Sequence, residues 1–228
     1  MTTPNSTAHL LNEPIHAVIF DLDGVLMDSE WMAFQVWREY VEQCGSKLDD
    51  AVYPHIIGLS AEETAEYIRE ASGASFDTRE SCDWAWDRLS ERMKGTLDPI
   101  PGAVELVRDL SARELPLAIA SNSPRHYIDN ALRGLGLSGY FPVRVGIDQV
   151  AQGKPAPDVY LRAAELLRID PARCLAVEDS KVGVQAAASA GMRVLAIPAH
   201  DPNGSMPGAW QIFTSMREAH QAIKAALG

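Results

Sequence analysis

Long apolar runs are missing from this 228-residue chain, and so is any excess of positive charge. A bilayer crossing needs roughly 20 consecutive apolar residues, and no stretch provides them, so no membrane span is expected. Lysine and arginine total 20 against 31 acidic residues, for a net charge of −11. Nucleic-acid binders are usually basic, so the balance argues against nucleic acid as a partner. Cysteine is scarce: Cys44, Cys82 and Cys174 are odd in number and form no CxxC pair. The expectation is a reducing compartment and buried thiols rather than a disulfide framework. The first fourteen residues lack the apolar stretch of a secretory leader. Residues 1–14 therefore read as a disordered tail, and the protein as cytoplasmic, a monomer or weak homodimer.

The chain is 46% hydrophobic, enough to bury a core. Apolar runs without alternation occur at Ala17–Phe20, Leu115–Ser121, Cys174–Asp179 and Arg193–Pro198, with a weaker one at Val143–Ile147. Such runs suit strands covered on both faces, as in parallel sheets. Helical patterns lie between them, at Ala103–Ala112, Pro124–Leu135, Pro157–Leu167 and Lys181–Ala190. The alternation predicts an α/β fold, a doubly wound parallel sheet. Ser123 before Pro124 reads as a helix N-cap, and Ser180 as another, with Gly191 closing that second helix.

Residues 29–96 interrupt the alternation with helical patterns only. Trp31, Phe34, Trp37, Val41 and Cys44 form one stripe; Cys82, Trp86, Leu89 and Met93 form another. Ser60–Glu63 is a capping-box pattern. The segment reads as an inserted helical domain, with its four tryptophans in the core of a small bundle and Trp31 as an exposed exception. The Pro-rich stretch Thr96–Gly102 returns the chain to the sheet, and the final Ser215–Leu227 segment is an amphipathic helix expected to pack back on it.

Ligands of open parallel sheets bind beyond the carboxyl ends of the strands. Asp21 and Asp23 follow the first run, Ser121, Asn122 and Ser123 the second, Lys154 the third, and Glu178, Asp179 and Ser180 the fourth. Several carboxylates at one sheet edge repel one another, and a hard divalent cation such as Mg²⁺ resolves the repulsion. Asp21 and Asp179 are the candidate side-chain ligands, assisted by Glu178. Ser121 and Asn122 precede a helix N-terminus, which favours an anion, and Lys154 supplies a point charge. Phosphate is the ligand that fits all four ends. Asp21 then reads as the nucleophile and Asp23 as the acid/base that serves the leaving oxygen and then water. Gly24 permits the bend that places Asp23.

In order and spacing, DLDGVLMDSE, ASNS, GKPAPD and VEDSKVG resemble the four motifs of the haloacid dehalogenase superfamily. The resemblance is to its subgroup with a helical cap after the first motif, and it covers Ile15–Pro198. It implies a Rossmann-like core at 15–28 and 97–228, a cap at 29–96, and hinges near Asp28 and Leu97–Pro99. It further implies Mg²⁺ held by Asp21, the Asp23 carbonyl and Asp179, with Glu178 adjacent. A phosphate would be held by Ser121, Asn122 and Lys154. In the resemblance, Trp37 and Gly58 match cap positions of β-phosphoglucomutases. The histidine and arginine those mutases carry fall at Ala33 and Ala61, although Arg69, Arg79 or Arg88 could supply a charge from elsewhere. The expectation is a Mg²⁺-dependent phosphatase acting through an aspartyl-phosphate on a small phosphorylated metabolite, a sugar or organic acid phosphate. A phosphomutase is the alternative enzyme, and a non-catalytic phosphate-binding module the alternative outside enzymes. Specificity is expected on the loop His55–Ser60 and the face carrying Trp31.

Overall fold

In the computed structural model, residues 14–57, 59, 61–95, 97–198 and 205–226 are described. Gly58, Ser60, Thr96 and nearly all of the expected tail lie outside them, as do residues 199–204 of the loop before the last helix. The chain divides into two compact units, Met1–Met27 with Leu97–Gly228, and Asp28–Thr96.

The first unit is built on a parallel sheet. Its strands are β1 (Ala17–Phe20), β2 (Leu117–Ala120), β3 (Val143–Val145), β4 (Cys174–Glu178), β5 (Arg193–Ala196) and β6 (Gln211–Ile212). They lie in the order β3-β2-β1-β4-β5-β6, and every pairing is parallel. The α/β doubly wound expectation therefore stands, with β6 added. β1, β2 and β4 are buried along their whole length, which is why their sequences are continuously apolar rather than alternating. On β1, Ala17 and Ile19 join a buried cluster with Ala118, Ala176, Tyr160 and Val184. Val18 and Phe20 point the other way by the two-residue period, and Phe20 meets Phe141 edge to face at 5.7 Å.

Register brings three strand ends level. Phe20 pairs with Ile119 on one side and Val177 on the other, and the Asp21 amide continues the ladder to the Val177 carbonyl at 3.0 Å. β1 is flanked by β2 and β4, and the chain crosses from one side of it to the other between β3 and β4. That is the topological switch point, where open sheets bind ligands.

Helices α5 (Ala103–Ala112), α6 (Arg125–Gly134), α7 (Asp158–Leu167), α8 (Lys181–Ser189) and α9 (Met216–Ala226) complete this unit. Ser180 caps α8 through the Gly183 amide, as expected. Ser123 does not cap α6: Pro124 occupies the N-cap position, and the first helical amide, Arg125, donates instead to Asp148 at 2.9 Å. The Ser123 hydroxyl is committed elsewhere, to Asp23. The last helix packs beside α5, with His220 and Asp109 in contact at 2.7 Å.

The second unit contains α1 (Ser29–Gln43), α2 (Tyr53–Ile56), α3 (Ala61–Ser72) and α4 (Thr78–Arg92). Asp28 accepts from the Trp31 amide and Asp77 from those of Arg79 and Glu80, so both long helices are capped. Phe34, Trp37 and Val41 form the buried face of α1 and pack against α4. Two expectations need correction. Cys44 is exposed because α1 ends there, and only Cys174 is buried. The tryptophans other than Trp31 are not uniformly core: Trp37 is buried, but Trp86 is 46% exposed, beside the 37% of Trp31. On α4 the buried set is Ser81, Ala85 and Leu89, which turns the expected Cys82–Trp86 stripe to the flank. Among the described residues no helix is long and apolar enough to cross a membrane.

Candidate active site

Asp21 stands at the end of β1, buried, and the Nζ of Lys154 lies 2.8 Å from its Oδ1. The same Nζ is 2.6 Å from Oε1 of Glu178, which is fully buried at the end of β4. Asp179 follows, and Asp21, Glu178 and Asp179 each offer an oxygen within 4.8 Å of the others. Lys154 arrives from the loop before α7. Its backbone amide donates to Asn122 Oδ1 at 2.8 Å, and its carbonyl accepts from Asn122 Nδ2 at 3.2 Å. Asn122 therefore fastens the lysine loop to the end of β2, whatever else it binds.

Glu178 is held from both oxygens. Oε1 accepts from Lys154 and, at 2.6 Å, from the phenol of Tyr160; Oε2 accepts from the Asp179 amide at 3.1 Å and the Ser180 hydroxyl at 3.3 Å. A Cβ on Gly183 would fall 1.9 Å from Oε1, so only glycine leaves room for this buried carboxylate. Gly24 does the same for Asp179: its φ is +72°, and a Cβ there would sit 1.9 Å from Oδ2.

The electrostatics follow from this packing. Burial pushes the Asp21 carboxyl up to about 7, with Glu178 and Asp23 adding to the rise and Lys154 opposing it. Asp179 is raised for the same reasons, burial first, then Asp21 and Glu178. Lys154 goes the other way from what burial alone dictates, since Asp21 and Glu178 hold its proton above the ordinary lysine range. Three carboxylates share one ammonium, which leaves a deficit of positive charge at an all-oxygen donor set. That is the chemistry of a hard divalent cation, and the residues fit Mg²⁺.

Asp23 is half-buried. Its Oδ2 accepts from Ser123 Oγ at 2.9 Å and its Oδ1 from the phenol of Tyr127 at 3.0 Å. Ser121 is buried at the end of β2, and its hydroxyl accepts from the Ser123 amide at 3.0 Å. Thus Asp21, Asp23, Gly24, Ser121, Asn122, Lys154, Glu178 and Asp179 are all brought to one edge of the sheet. Trp37 belongs to the helical unit and lines a cavity there; Gly58 lies outside the described residues. Tyr127 and Tyr160 are additions that the sequence did not single out. Periodicity marks them as buried helix positions, and nothing local tells which acid each phenol will meet.

A bifunctional riboflavin kinase/FMN phosphatase of Arabidopsis thaliana is 34% identical over 219 residues, covering 96% of this chain and 56% of that protein. The chain therefore spans little more than half of that relative. A phosphorylated carbohydrates phosphatase of Thermotoga maritima is 35% identical over 182 residues, 78% of this chain and 82% of its own length. Among solved structures, a HAD family hydrolase of Deinococcus radiodurans R1, with bound phosphate and sodium, superposes with a TM-score of 0.75 at 31% identity. That match covers 93% of this chain and 96% of the other. A family model described as haloacid dehalogenase-like hydrolase matches residues 18–197, and the chain belongs to that family.

Proposed function

We propose that the protein is a Mg²⁺-dependent phosphatase that hydrolyses a small phosphorylated metabolite, a sugar or organic acid phosphate, through a phosphoryl group carried on Asp21. The observation that carries the reading is the convergence of Asp21, Lys154, Glu178 and Asp179 at the switch point, with Asp23 two residues from Asp21. Asp21, Asp179 and the Asp23 carbonyl, with Glu178 nearby, would hold Mg²⁺, which would supply charge neutralisation for the phosphoryl oxygens. Lys154 adds a positive charge at the same place, and Ser121 and Asn122 line the adjoining strand end for the phosphate. An Asp21 oxygen forms the new bond to phosphorus while the ester P–O bond breaks, and the leaving oxygen takes the bonding pair and a proton from Asp23. Water then gives a proton to Asp23 and attacks phosphorus, releasing inorganic phosphate and the Asp21 carboxylate. Ser123 and Tyr127 suit both states of Asp23, because each hydroxyl can donate to the carboxylate or accept from the acid.

A phosphomutase needs a cationic group to hold a second phosphate. Ala33 and Ala61 line the same cavity of the helical unit, and among the described residues no lysine, arginine or histidine lines it with them. Arg88 is turned to Glu39 at 3.0 Å. These points favour hydrolysis. The test is p-nitrophenyl phosphate with Mg²⁺, with chelator, and with Asp21→Asn. Release that stops in both of the last two supports the reading, and full activity in Asp21→Asn contradicts it. Glucose 1-phosphate with its bisphosphate separates the rival: glucose 6-phosphate without free phosphate identifies a mutase.

A further inference from the structure

Lys154 comes from a loop, and a flexible lysine stem does not fix the position of its own charge. Its neighbours must do so. The Lys154 side chain is 3% exposed, with Nζ 2.8 Å from Asp21 Oδ1 and 2.6 Å from Glu178 Oε1. At the backbone end, the Asn122 side chain accepts from the Lys154 amide and donates to the Lys154 carbonyl, as a paired strand would. At the ammonium end stands Tyr160 of α7, fully buried in the cluster that contains Ile19, Ala118 and Ala176. Its phenol donates at 2.6 Å to Glu178 Oε1, the same oxygen that Lys154 meets. Lys154 Nζ stands over its ring, 5.1 Å from the centroid, within the range of a cation–π contact.

Glu178 Oε1 is therefore shared between a phenol and an ammonium. Without the hydroxyl, Lys154 is the one donor left to that oxygen among the described residues, and Nζ is drawn toward Glu178 and away from Asp21. With the hydroxyl in place, the ammonium stays between the two acids. An ammonium carries three N–H bonds. Among the described residues its acceptors are these two carboxylate oxygens, which leaves one N–H for a ligand beside Asp21.

We infer that Tyr160 and Asn122 are positioning residues that act through Lys154. Asn122 anchors its backbone, and Tyr160 keeps its ammonium at Asp21 with one N–H open to a phosphoryl oxygen. The inference rests on the phosphatase reading, and it makes the Asn122 side chain a support of the lysine rather than a ligand of the phosphate.

A double-mutant cycle on the full-length protein tests it. With saturating Mg²⁺ and p-nitrophenyl phosphate, kcat/KM is measured for wild type, Tyr160→Phe, Asn122→Ala and Lys154→Met, and for each of the first two variants combined with Lys154→Met. Tyr160→Phe keeps the ring in the core and removes only the hydroxyl. Each of the two should lower kcat/KM by about five- to twentyfold alone. Each should cost less than about twofold once position 154 has lost its charge, because residues that act through one group are not additive. Equal losses in both backgrounds overturn the inference, and so does a loss below about twofold in the single variants.

A second arm needs no turnover. Calorimetry measures inorganic phosphate binding to the Mg²⁺-loaded proteins and Mg²⁺ binding to the metal-free ones. Tyr160→Phe should weaken phosphate by at least about threefold, while Mg²⁺ binds as tightly as to wild type or more so, since Glu178 has lost a donor. Unchanged phosphate affinity overturns the inference. So does a parallel loss of phosphate and Mg²⁺ affinity, the result expected of a residue that only braces the core. If Lys154→Met has no measurable turnover, the phosphate affinities of the same set of variants close the cycle. The two readings fail differently. Loss of the phosphatase reading appears as no hydrolysis by wild type with Mg²⁺, and phosphate affinity then decides alone whether Tyr160 and Asn122 work through Lys154.

Discussion

The phenol of Tyr127 donates to Asp23 Oδ1 across 3.0 Å, from a residue 104 positions away in the chain. Tyr127 is buried on α6, so the hydroxyl has little freedom to leave. With Ser123 on the other oxygen, it fixes the orientation of the Asp23 carboxyl. Under the proposed mechanism, in which Asp23 is the acid/base, Tyr127 is a positioning residue for it. Tyr127→Phe should lower kcat by about ten- to thirtyfold, the worth of one hydrogen bond to a charged group. KM should stay within about a factor of two, because the phosphate's own contacts are untouched. A loss confined to KM would assign Tyr127 a binding role instead.

The excess of carboxylate at the strand ends predicts a thermal signature that needs no substrate. Millimolar MgCl₂ should raise the Tm by several degrees, since a cation bound only by the folded state stabilises it by mass action. Asp179→Asn removes one oxygen charge and should abolish most of that rise. The variant should be no less stable than wild type without metal, because it relieves the repulsion that Asp21 and Glu178 exert on Asp179. Differential scanning calorimetry with and without chelator checks both expectations.

Gly183 gives a stability test. Gly183→Ala would place a methyl 1.9 Å from Oε1 of a carboxylate that is fully buried and bonded to Lys154 and Tyr160. A helical Gly→Ala change ordinarily stabilises. Here it should cost about 2–3 kcal/mol through overpacking and broken hydrogen bonds, read as a lower urea midpoint. A neutral or stabilising result would mean that Glu178 is free to move.

Away from the site, Asp129 accepts from Arg144 at 2.6 Å and from Arg125 at 3.2 Å. Burial alone would raise its carboxyl, but the two guanidinium groups win and hold it below the ordinary value of 3.8. A depressed folded pKa means that the contribution is fully present above the unfolded value and is lost as pH falls through the folded one. Asp129→Asn should therefore cost about 1–2 kcal/mol at pH 7, and the gap to wild type should narrow below about pH 4. Urea titrations at the two pH values check the sign.

The sheet was legible because parallel strands buried on both faces leave uninterrupted apolar runs, such as Ala17–Phe20 and Cys174–Glu178. β6 was not, because two residues beside an exposed Trp210 carry no such run. The site's acids and Lys154 were legible because each follows a strand end, where chemistry is placed by topology rather than by distant contacts. Ser123 was misread for the opposite reason: a local rule for Ser-Pro at a helix start lost to a carboxylate 100 residues away. In the helical unit, periodicity predicted the helices but not their rotation. Ser81 and Ala85 are small enough to let α4 pack closely, and this leaves Cys82 and Trp86 beside a cavity instead of within a core.

The central claim is that Asp21 carries the phosphoryl group, and the direct measurement is chemical trapping during turnover. The enzyme with Mg²⁺ and p-nitrophenyl phosphate is acid-quenched, treated with borohydride, digested and read by peptide mass spectrometry. A trapped acyl phosphate is reduced to homoserine, and the account predicts that conversion at position 21 and its absence without substrate. Steady turnover with position 21 unmodified, or modification at another carboxylate, would contradict it.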